Sequence, residues 1–203
     1  MAATREVTGV VLAGGLGRRA GGPKAAIVLG GETLLARVVR CLAAWFPAVV
    51  VAVRQEGDPV PPGVLALPDA EPGAGPLPAL ASALARCVTP WAFAVGCDMP
   101  DLDRATVELL VGRARPGVDA VVPVDADGCW QPLHAVYRVG AGPALQAAAA
   151  RGERALHRAL AGLRCDAVAW SEWGRLPGAA ASVAGLDTAP EIAARRARAG
   201  SVA

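Results

Sequence analysis

Between residues 12 and 24 the chain reads Leu-Ala-Gly-Gly-Leu-Gly-Arg-Arg-Ala-Gly-Gly-Pro-Lys. Glycines at this density let a backbone approach an anion closely and turn its N–H groups toward it. Arg18 and Arg19 add positive charge, and Lys24 closes the run with a compact ammonium suited to phosphate oxygens. A triphosphate fits such a loop. The run is not a Walker loop, because no Ser or Thr follows Lys24 and the glycine spacing differs. Nor is it the dinucleotide fingerprint, because Gly15-x-Gly17 is followed by Arg18-Arg19-Ala20 where a third glycine is required. A flexible surface loop is the plain alternative. Its position directly after an apolar run, together with Lys24, favours phosphate binding. Of 20 basic residues in the chain, Lys24 is the one lysine; there is no asparagine, and alanine fills 46 positions. Under a drift toward Ala, Arg, Gly and Pro, a surviving lysine is expected to do what arginine does less well.

Two carboxylates stand out by position. Asp98 ends a buried apolar run, where a carboxylate is costly unless it meets a cation or hydrogen-bond donors. Mg²⁺ bridging substrate phosphates commonly takes one or two protein carboxylates, so Asp98 is the metal-ligand candidate. Its alternative is a cap on the turn before Pro100. Asp69 follows another apolar run in the same way, with a turn role after Pro68 weighing equally. His134, in a strand-like apolar run, is expected to be packed or hydrogen-bonded, and His157 to sit on a helix surface.

The elements that position these residues alternate. Thr8–Ala13 is a short apolar, β-branched run of buried-strand length, cut off by Gly14-Gly15 and followed by a glycine-rich loop to about Gly31. Thr33–Ala44 has Leu34, Leu35, Val38, Val39 and Leu42 at helical spacing with Thr33 as its cap, and Ala48–Val53 is the next strand. Val64–Leu67 is a third strand, Gly75-Pro76 opens a helix to about Cys87, and Trp91–Gly96 is a fourth strand. Asp103 caps a helix through Leu110, with strands at Val118–Pro123 and Pro132–Tyr137. Helices at Gly142–Ala150 and Ala155–Leu160, a strand at Cys165–Ala169 and a terminal helix at Pro190–Arg198 complete the reading. The pattern predicts an α/β chain, a three-layer α/β/α sandwich around a mainly parallel sheet, as one domain spanning residues 1–203. Ligands in such sheets sit at the carboxyl ends of the strands where the order reverses. The segments Gly14–Lys24, Asp69–Gly75 and Asp98 fall there.

Composition narrows the class further. A hydrophobic fraction of 54% excludes disorder as the dominant state, and a net charge of +2 without a basic block argues against nucleic-acid or membrane-surface partners. Mean hydropathy of +0.39 comes largely from alanine, and no uncharged apolar run reaches the roughly 18 residues of a membrane span. With Arg5 and Glu6 ahead of the first apolar run, a signal peptide is not expected and a cytoplasmic location is. Five scattered cysteines with no C-x-x-C pair support neither a disulfide framework nor a zinc site.

Taken in order, LAGGLGRRAGGPK, then GPL at Gly75–Leu77, CDMP at Cys97–Pro100, QPLHAVY at Gln131–Tyr137 and GERAL at Gly152–Leu156 resemble the molybdenum cofactor guanylyltransferases. These belong to the nucleotidyltransferases with an L-A-G/A-G-x-x-x-R-x-G-x-x-K signature. The resemblance runs from about residue 8 to the terminal helix, and Leu-Ala-Gly-Gly with Cys-Asp-Met-Pro is similar to the guanylyl rather than the cytidylyl members. It implies a Rossmann-like, mainly parallel mixed sheet of the nucleotide-diphospho-sugar transferase type. It further implies that Leu12, Ala13 and Gly14 contact the guanine nucleotide, that Gly15, Arg18 and Lys24 surround its phosphates, that Asp69 lies on the nucleoside side and that Asp98 holds Mg²⁺. Arg154 matches a position for the pterin acceptor or its phosphate, and Gln131 and Pro132 lie on the acceptor side. Where the family has an asparagine at the end of the second strand this chain has Ala52-Val53. An Asn-x-Asn-Thr-like segment reads Gly185-Leu186-Asp187-Thr188, so that Asp187 could serve as a second polar ligand near the metal, and Pro78-Ala79 follows GPL where A-G is usual.

The reaction so implied is attack of the terminal phosphate of molybdopterin on the α-phosphate of GTP, with pyrophosphate leaving. Lys24, Arg18 and Asp98 with Mg²⁺ supply the field, and no general base is needed. The rival readings are another nucleotide or acceptor, such as CTP with molybdopterin or a phosphosugar, and a catalytically weak nucleotide-binding paralogue. Transient contact with molybdoenzymes or molybdopterin-delivering proteins is implied as well.

Overall fold

The computed structural model describes residues 2–15, 17, 19–69 and 73–200, with side chains described through Arg196. Its elements run β1 (Val7–Leu12), β2 (Val28–Leu29), β3 (Glu32–Thr33), α1 (Leu34–Trp45), β4 (Ala48–Val53), β5 (Leu65–Pro68), α2 (Pro76–Leu84) and β6 (Trp91–Gly96). They continue with α3 (Arg104–Arg113), β7 (Ala120–Pro123), β8 (His134–Arg138), α4 (Gly142–Ala150), α5 (Leu156–Ala159), β9 (Cys165–Val168), α6 (Trp170–Trp173), α7 (Ala179–Ser182) and α8 (Ala189–Gly200).

Seven strands form one sheet in the order β5-β4-β1-β6-β8-β7-β9, and β8 alone runs antiparallel to its neighbours. The chain leaves β1 toward β4 and β5, then returns past it to β6. The order therefore reverses between β1 and β6, which are paired from Val7↔Trp91 to Leu12↔Gly96. A crevice outside the carboxyl ends of these two strands is where such sheets bind ligands.

Alternate residues of each strand feed two cores, as the period of two requires. Val7, Val11, Val51, Phe93 and Val95 pack with Val38 and Leu42 of α1 and with Leu110 of α3 on one face. On the other, Val10, Leu12, Val50, Ala92 and Ala94 pack with Leu77 and Leu80 of α2 and with Leu145 of α4. Gly9 sets the closeness of the first layer: a Cβ there would lie 3.0 Å from Leu42 Cδ1 and 3.4 Å from Phe46 Cδ2. The three-layer sandwich and mixed sheet match expectation.

Helix starts follow their caps. Thr33 Oγ1 accepts from the Ala36 N–H at 3.1 Å and the Asp103 carboxylate from the Thr106 N–H at 2.8 Å. Two differences are informative. The stretch read as loop to Gly31 holds a small hairpin, β2–β3, closed by Gly30 and Gly31 at φ +59° and +84°. Two positive-φ residues are what a two-residue primed turn needs, but strands this short carry no periodicity to find. The one-turn helices α6 and α7 escaped for the same reason. Among the described residues no helix is long and apolar enough to cross a membrane.

Candidate functional site

The glycine-rich loop is built to bend back on itself. The Ala20 and Gly22 N–H groups donate to the Gly17 carbonyl at 2.8 and 3.2 Å. Gly17 has φ +55°, and a Cβ on it would lie 1.8 Å from the Gly22 carbonyl oxygen and 3.2 Å from Lys24 Cγ. No other residue type can hold this conformation without displacing the Gly22 backbone, two residues ahead of Lys24. Pro23 then leads into a 3₁₀ turn over Lys24–Ala26 that returns Lys24 to the sheet edge.

There Lys24 Nζ donates to Asp98 Oδ2 at 2.5 Å and to Asp187 Oδ1. The three residues come from remote parts of the chain, and backbone bonds fix each one. Cys97 N–H donates to Leu12 O at 3.1 Å, continuing the β1–β6 ladder one residue past its end, and the turn that follows closes with Met99 N–H on Gly96 O. A Cβ at Gly96 would lie 2.4 Å from Asp98 Oδ1, so glycine is what lets this carboxylate fold over the strand end. Asp187 is brought in by Leu186 N–H donating to Asp98 O at 2.9 Å. Thr188 and Glu191 form a capping box that starts α8: Glu191 Oε2 accepts from the Thr188 N–H at 2.8 Å and Thr188 Oγ1 from the Glu191 N–H at 3.4 Å. Ala189 N–H bonds Arg19 O, and Arg195 pairs with Asp101, so α8 straps both loops together.

Burial works against the charge of Lys24, but its hydrogen bonds to Asp187 and Asp98 outweigh that and hold the ammonium above the ordinary lysine value. The Lys24 hydrogen bond in turn holds the Asp187 carboxyl below the ordinary range. Two carboxylates that converge on one cation also offer hard oxygen donors to a divalent metal. Mg²⁺ binds through one or two carboxylates with substrate phosphates filling the remaining positions, and this donor set fits it. Among the described residues there is no cluster of three or more His, Cys, Asp and Glu that could hold a metal unaided.

Leu12, Gly14, Lys24, Asp69, Gly75 and Asp98 line one cavity of about 330 Å³. The three segments expected at the strand ends therefore meet. Asp69 N–H continues the β4–β5 ladder by donating to Val53 O at 2.9 Å. Burial pushes its carboxyl up to about 6. A Cβ on Gly14 would stand 3.1 Å from Asp69 Oδ2, which keeps the backbone there bare and close to the carboxylate. The site thus offers a cation, bare backbone, an apolar wall and three carboxylates in a small volume, a set suited to a nucleotide with its metal.

Other residues singled out in the sequence are distributed differently. Ala13 packs in the α1-side core and, with Gly14 and Gly15, lines a separate cavity of about 550 Å³ against α1 and the loop after β4. Arg154 shares a cavity of about 220 Å³ with Asp69, and its Nη1 donates to Ala149 O at 2.9 Å. Gln131 Nε2 donates to Asp125 Oδ2 at 2.7 Å, so its amide holds the β7–β8 loop, while Pro132 O accepts from the Tyr137 hydroxyl at 2.7 Å. The three acceptor-side candidates are therefore not one cluster: Arg154 belongs with Asp69, and Gln131 and Pro132 with the β7–β8 loop. Arg18 lies outside the described residues. His134 is fully buried, edge-on to Phe93 with ring centroids 5.1 Å apart, and Nε2 lies 3.3 Å from Ser182 Oγ; burial pulls its pKa down to about 3, and it packs rather than titrates. His157 is exposed. Trp130 is 38% exposed on the β7–β8 loop, and its only local signature in the sequence is the Asp125-x-Asp127-Gly128 turn beside it.

Residues 9–173 match the model of the MobA-like NTP transferase domain. The chain is 38% identical over 161 residues to the probable molybdenum cofactor guanylyltransferase of Opitutus terrae, covering 77% of this chain and 79% of that one. It is 33% identical over 135 residues to the protein of the same name from Pelotomaculum thermopropionicum, covering 66% of this chain and 65% of that one. Among solved structures, molybdopterin-guanine dinucleotide biosynthesis protein A of Archaeoglobus fulgidus superposes with a TM-score of 0.80 over 96% of this chain and 99% of that one. At 22% identity, that likeness shows a shared fold.

Proposed function

The chain belongs to the MobA-like NTP transferase family, and from that premise we propose that it transfers GMP from GTP to the terminal phosphate of molybdopterin, releasing pyrophosphate. The observation that carries this reading is the convergence of Lys24, Asp98 and Asp187 beside the glycine loop, with Lys24 and Asp98 lining a cavity that also holds Asp69. In the reaction an oxygen of the acceptor phosphate bonds to the α-phosphorus of GTP, and the bond from that phosphorus to the bridging oxygen of the β-phosphate breaks. The attacking oxygen is already ionised near neutrality, so no side chain need accept a proton. What the protein must supply is alignment of two anions and relief of their repulsion.

Each candidate residue takes a part in that task. Lys24 and Arg18, with the backbone N–H groups of the loop around Gly14 and Gly15, hold the phosphates and meet the charge that builds on the departing pyrophosphate. Asp98 and Asp187 would hold Mg²⁺, which when bound neutralises phosphate charge and orients the triphosphate. Leu12 shapes the nucleoside end, where the Asp69 carboxylate accepts hydrogen bonds from the base or ribose, and Ala13 contributes from the adjoining cavity that Gly14 and Gly15 also line. Arg154 serves the acceptor from the Asp69 side, and Gln131 and Pro132 from the β7–β8 loop. The whole chain works as one domain in the cytoplasm, and meets molybdopterin-delivering proteins or molybdoenzymes transiently.

The test is pyrophosphate release in the presence of molybdopterin and Mg²⁺ with GTP, CTP, ATP and UTP in turn. Release with GTP in clear preference is expected. Release with CTP and not GTP would overturn the guanylyl assignment, and a chain inert with every triphosphate would leave a nucleotide-binding paralogue.

A further inference from the structure

The β7–β8 loop carries an exposed indole on a rigid mount. The Asp125 carboxylate accepts from the Asp127 N–H at 2.9 Å, the Cys129 N–H at 2.8 Å and Gln131 Nε2 at 2.7 Å. Asp125 N–H donates to Cys129 O, Gln131 N–H donates to Pro123 O at 2.9 Å, and Val124 and Trp130 form a β-bridge. Three donors on one carboxylate leave the loop little freedom. Trp130 nonetheless keeps 38% of its surface exposed. Its indole borders a cavity of about 740 Å³ that Cys129, Pro132, His157, Leu163 and Cys165 also line.

Two features connect this cavity to the nucleotide site. Pro132 lines it, while the next residue, Leu133, lines the cavity of Lys24 and Asp98 and accepts from Gly96 N–H at 3.3 Å. Three residues of chain span at most about 10 Å, so Trp130 stands within that reach of Leu133. A ligand with an anionic end at Lys24 and a planar ring one short linker away would extend from one cavity into the other. The lining suits such a ring: Trp130 as an aromatic surface to stack on, Pro132 and Leu163 as apolar edges, and the exposed His157 imidazole and Cys129 thiol that can pair with ring-edge nitrogen and oxygen atoms.

We propose that the Trp130 cavity seats the pterin ring of the acceptor, with the indole as its stacking platform. This rests on the molybdopterin reading of the acceptor given above. Gln131 is then a positioning residue, acting through Asp125 to hold Trp130 in place.

The test uses the full chain and 6-hydroxymethylpterin, a soluble fluorescent probe that carries no phosphate, with binding followed by its fluorescence anisotropy. Trp130→Ala is expected to weaken binding about tenfold or more, the scale of base stacking on an aromatic side chain, and Trp130→Phe to restore most of it. Unchanged circular dichroism and melting temperature verify that each variant folds. In the transfer reaction Trp130→Ala should raise KM for molybdopterin while KM for GTP stays as it was. A wild-type chain that binds no pterin, or a Trp130→Ala variant that binds it as tightly as wild type, overturns the seat. A chain that binds pterin through Trp130 yet transfers no nucleotide supports the seat and refutes the guanylyltransferase reading instead.

Discussion

Replacing Lys24 by arginine keeps the charge and changes only its shape, which isolates what the single lysine contributes. Lys24 Nζ sits between Asp98 Oδ2 at 2.5 Å and Asp187, with its side chain only 17% exposed. The terminal nitrogens of arginine lie one bond farther from the backbone, roughly 1.3 Å, and form a planar fork where a point donor now fits. Gly17 lies against the stem, where an added Cβ would come within 3.2 Å of Lys24 Cγ, and so leaves the loop little slack on that side to absorb the length. A misplacement of about 1 Å in a charge that must align reacting phosphates costs on the order of 10²-fold in rate. Lys24→Arg should therefore lower kcat about 10²-fold. Lys24→Met removes the charge altogether and should fall at or below that level, since loss of one electrostatic contact to developing charge costs about 10²–10³. The measurement is steady-state pyrophosphate release with GTP, Mg²⁺ and molybdopterin, with thermal melts alongside. Because arginine can still pair with both carboxylates, its melting temperature should stay close to wild type. A Lys24→Arg enzyme turning over within twofold of wild type refutes the reasoning.

Three further outcomes follow from the same geometry. Gly17→Ala places a Cβ 1.8 Å from the Gly22 carbonyl in a left-handed conformation, and should cut kcat/KM about 10²-fold through the displaced loop and also lower the melting temperature; wild-type activity would contradict it. Burial pushes the Asp69 carboxyl up to about 6, and it accepts more strongly from the nucleoside when ionised, so KM for GTP should rise as pH falls below that point, by up to about tenfold per pH unit. Asp69→Asn should abolish that acid limb. Burial raises the Asp69 pKa in the folded chain, so its stabilising contribution is complete only below the unfolded value and is lost as pH rises through about 6; Asp69→Asn should thus melt higher than wild type at pH 7. Asp119 shows the opposite sign: its carboxylate joins Arg164 and Arg138 at 2.9 and 2.8 Å, and the Arg164 hydrogen bond holds it well below the ordinary range. Its contribution is present above about pH 4 and lost as pH falls, so Asp119→Asn should lose roughly 1–2 kcal/mol at pH 7 and show a flatter decline in acid. Equal acid sensitivity in both chains would contradict that role.

The strand-and-helix alternation was legible because β1, β4 and β6 are continuous apolar runs of strand length and α1 shows its stripe at helical spacing. Their caps were legible too: Thr33 and Asp103 do what their residue types suggest. The glycine loop, Asp69 and Asp98 could be placed at one edge because each directly follows a buried strand. The convergence of Asp187 with Lys24 could not be read locally, since 163 positions separate them and a strap of backbone bonds closes the gap. The helix that ends this strap does have a local signature, the Thr188-x-x-Glu191 capping box. The antiparallel insertion of β8 between β6 and β7 likewise has no local signature, because pairing direction is a property of partners and not of a strand's own residues. The grouping of Arg154 with Asp69, and of Gln131 with Asp125, depends on how the loops close and so lay outside sequence pattern altogether.

The most direct test of the central claim follows the α-phosphorus itself. The chain is incubated with Mg²⁺, molybdopterin and GTP labelled at either the α- or the γ-phosphate, and the pterin-containing product is separated and counted. Label from the α-position should appear in that product and label from the γ-position only in pyrophosphate, with both signals lost in Asp98→Asn. Absence of α-label from the pterin product, or its appearance with CTP and not with GTP, would contradict guanylyl transfer to molybdopterin.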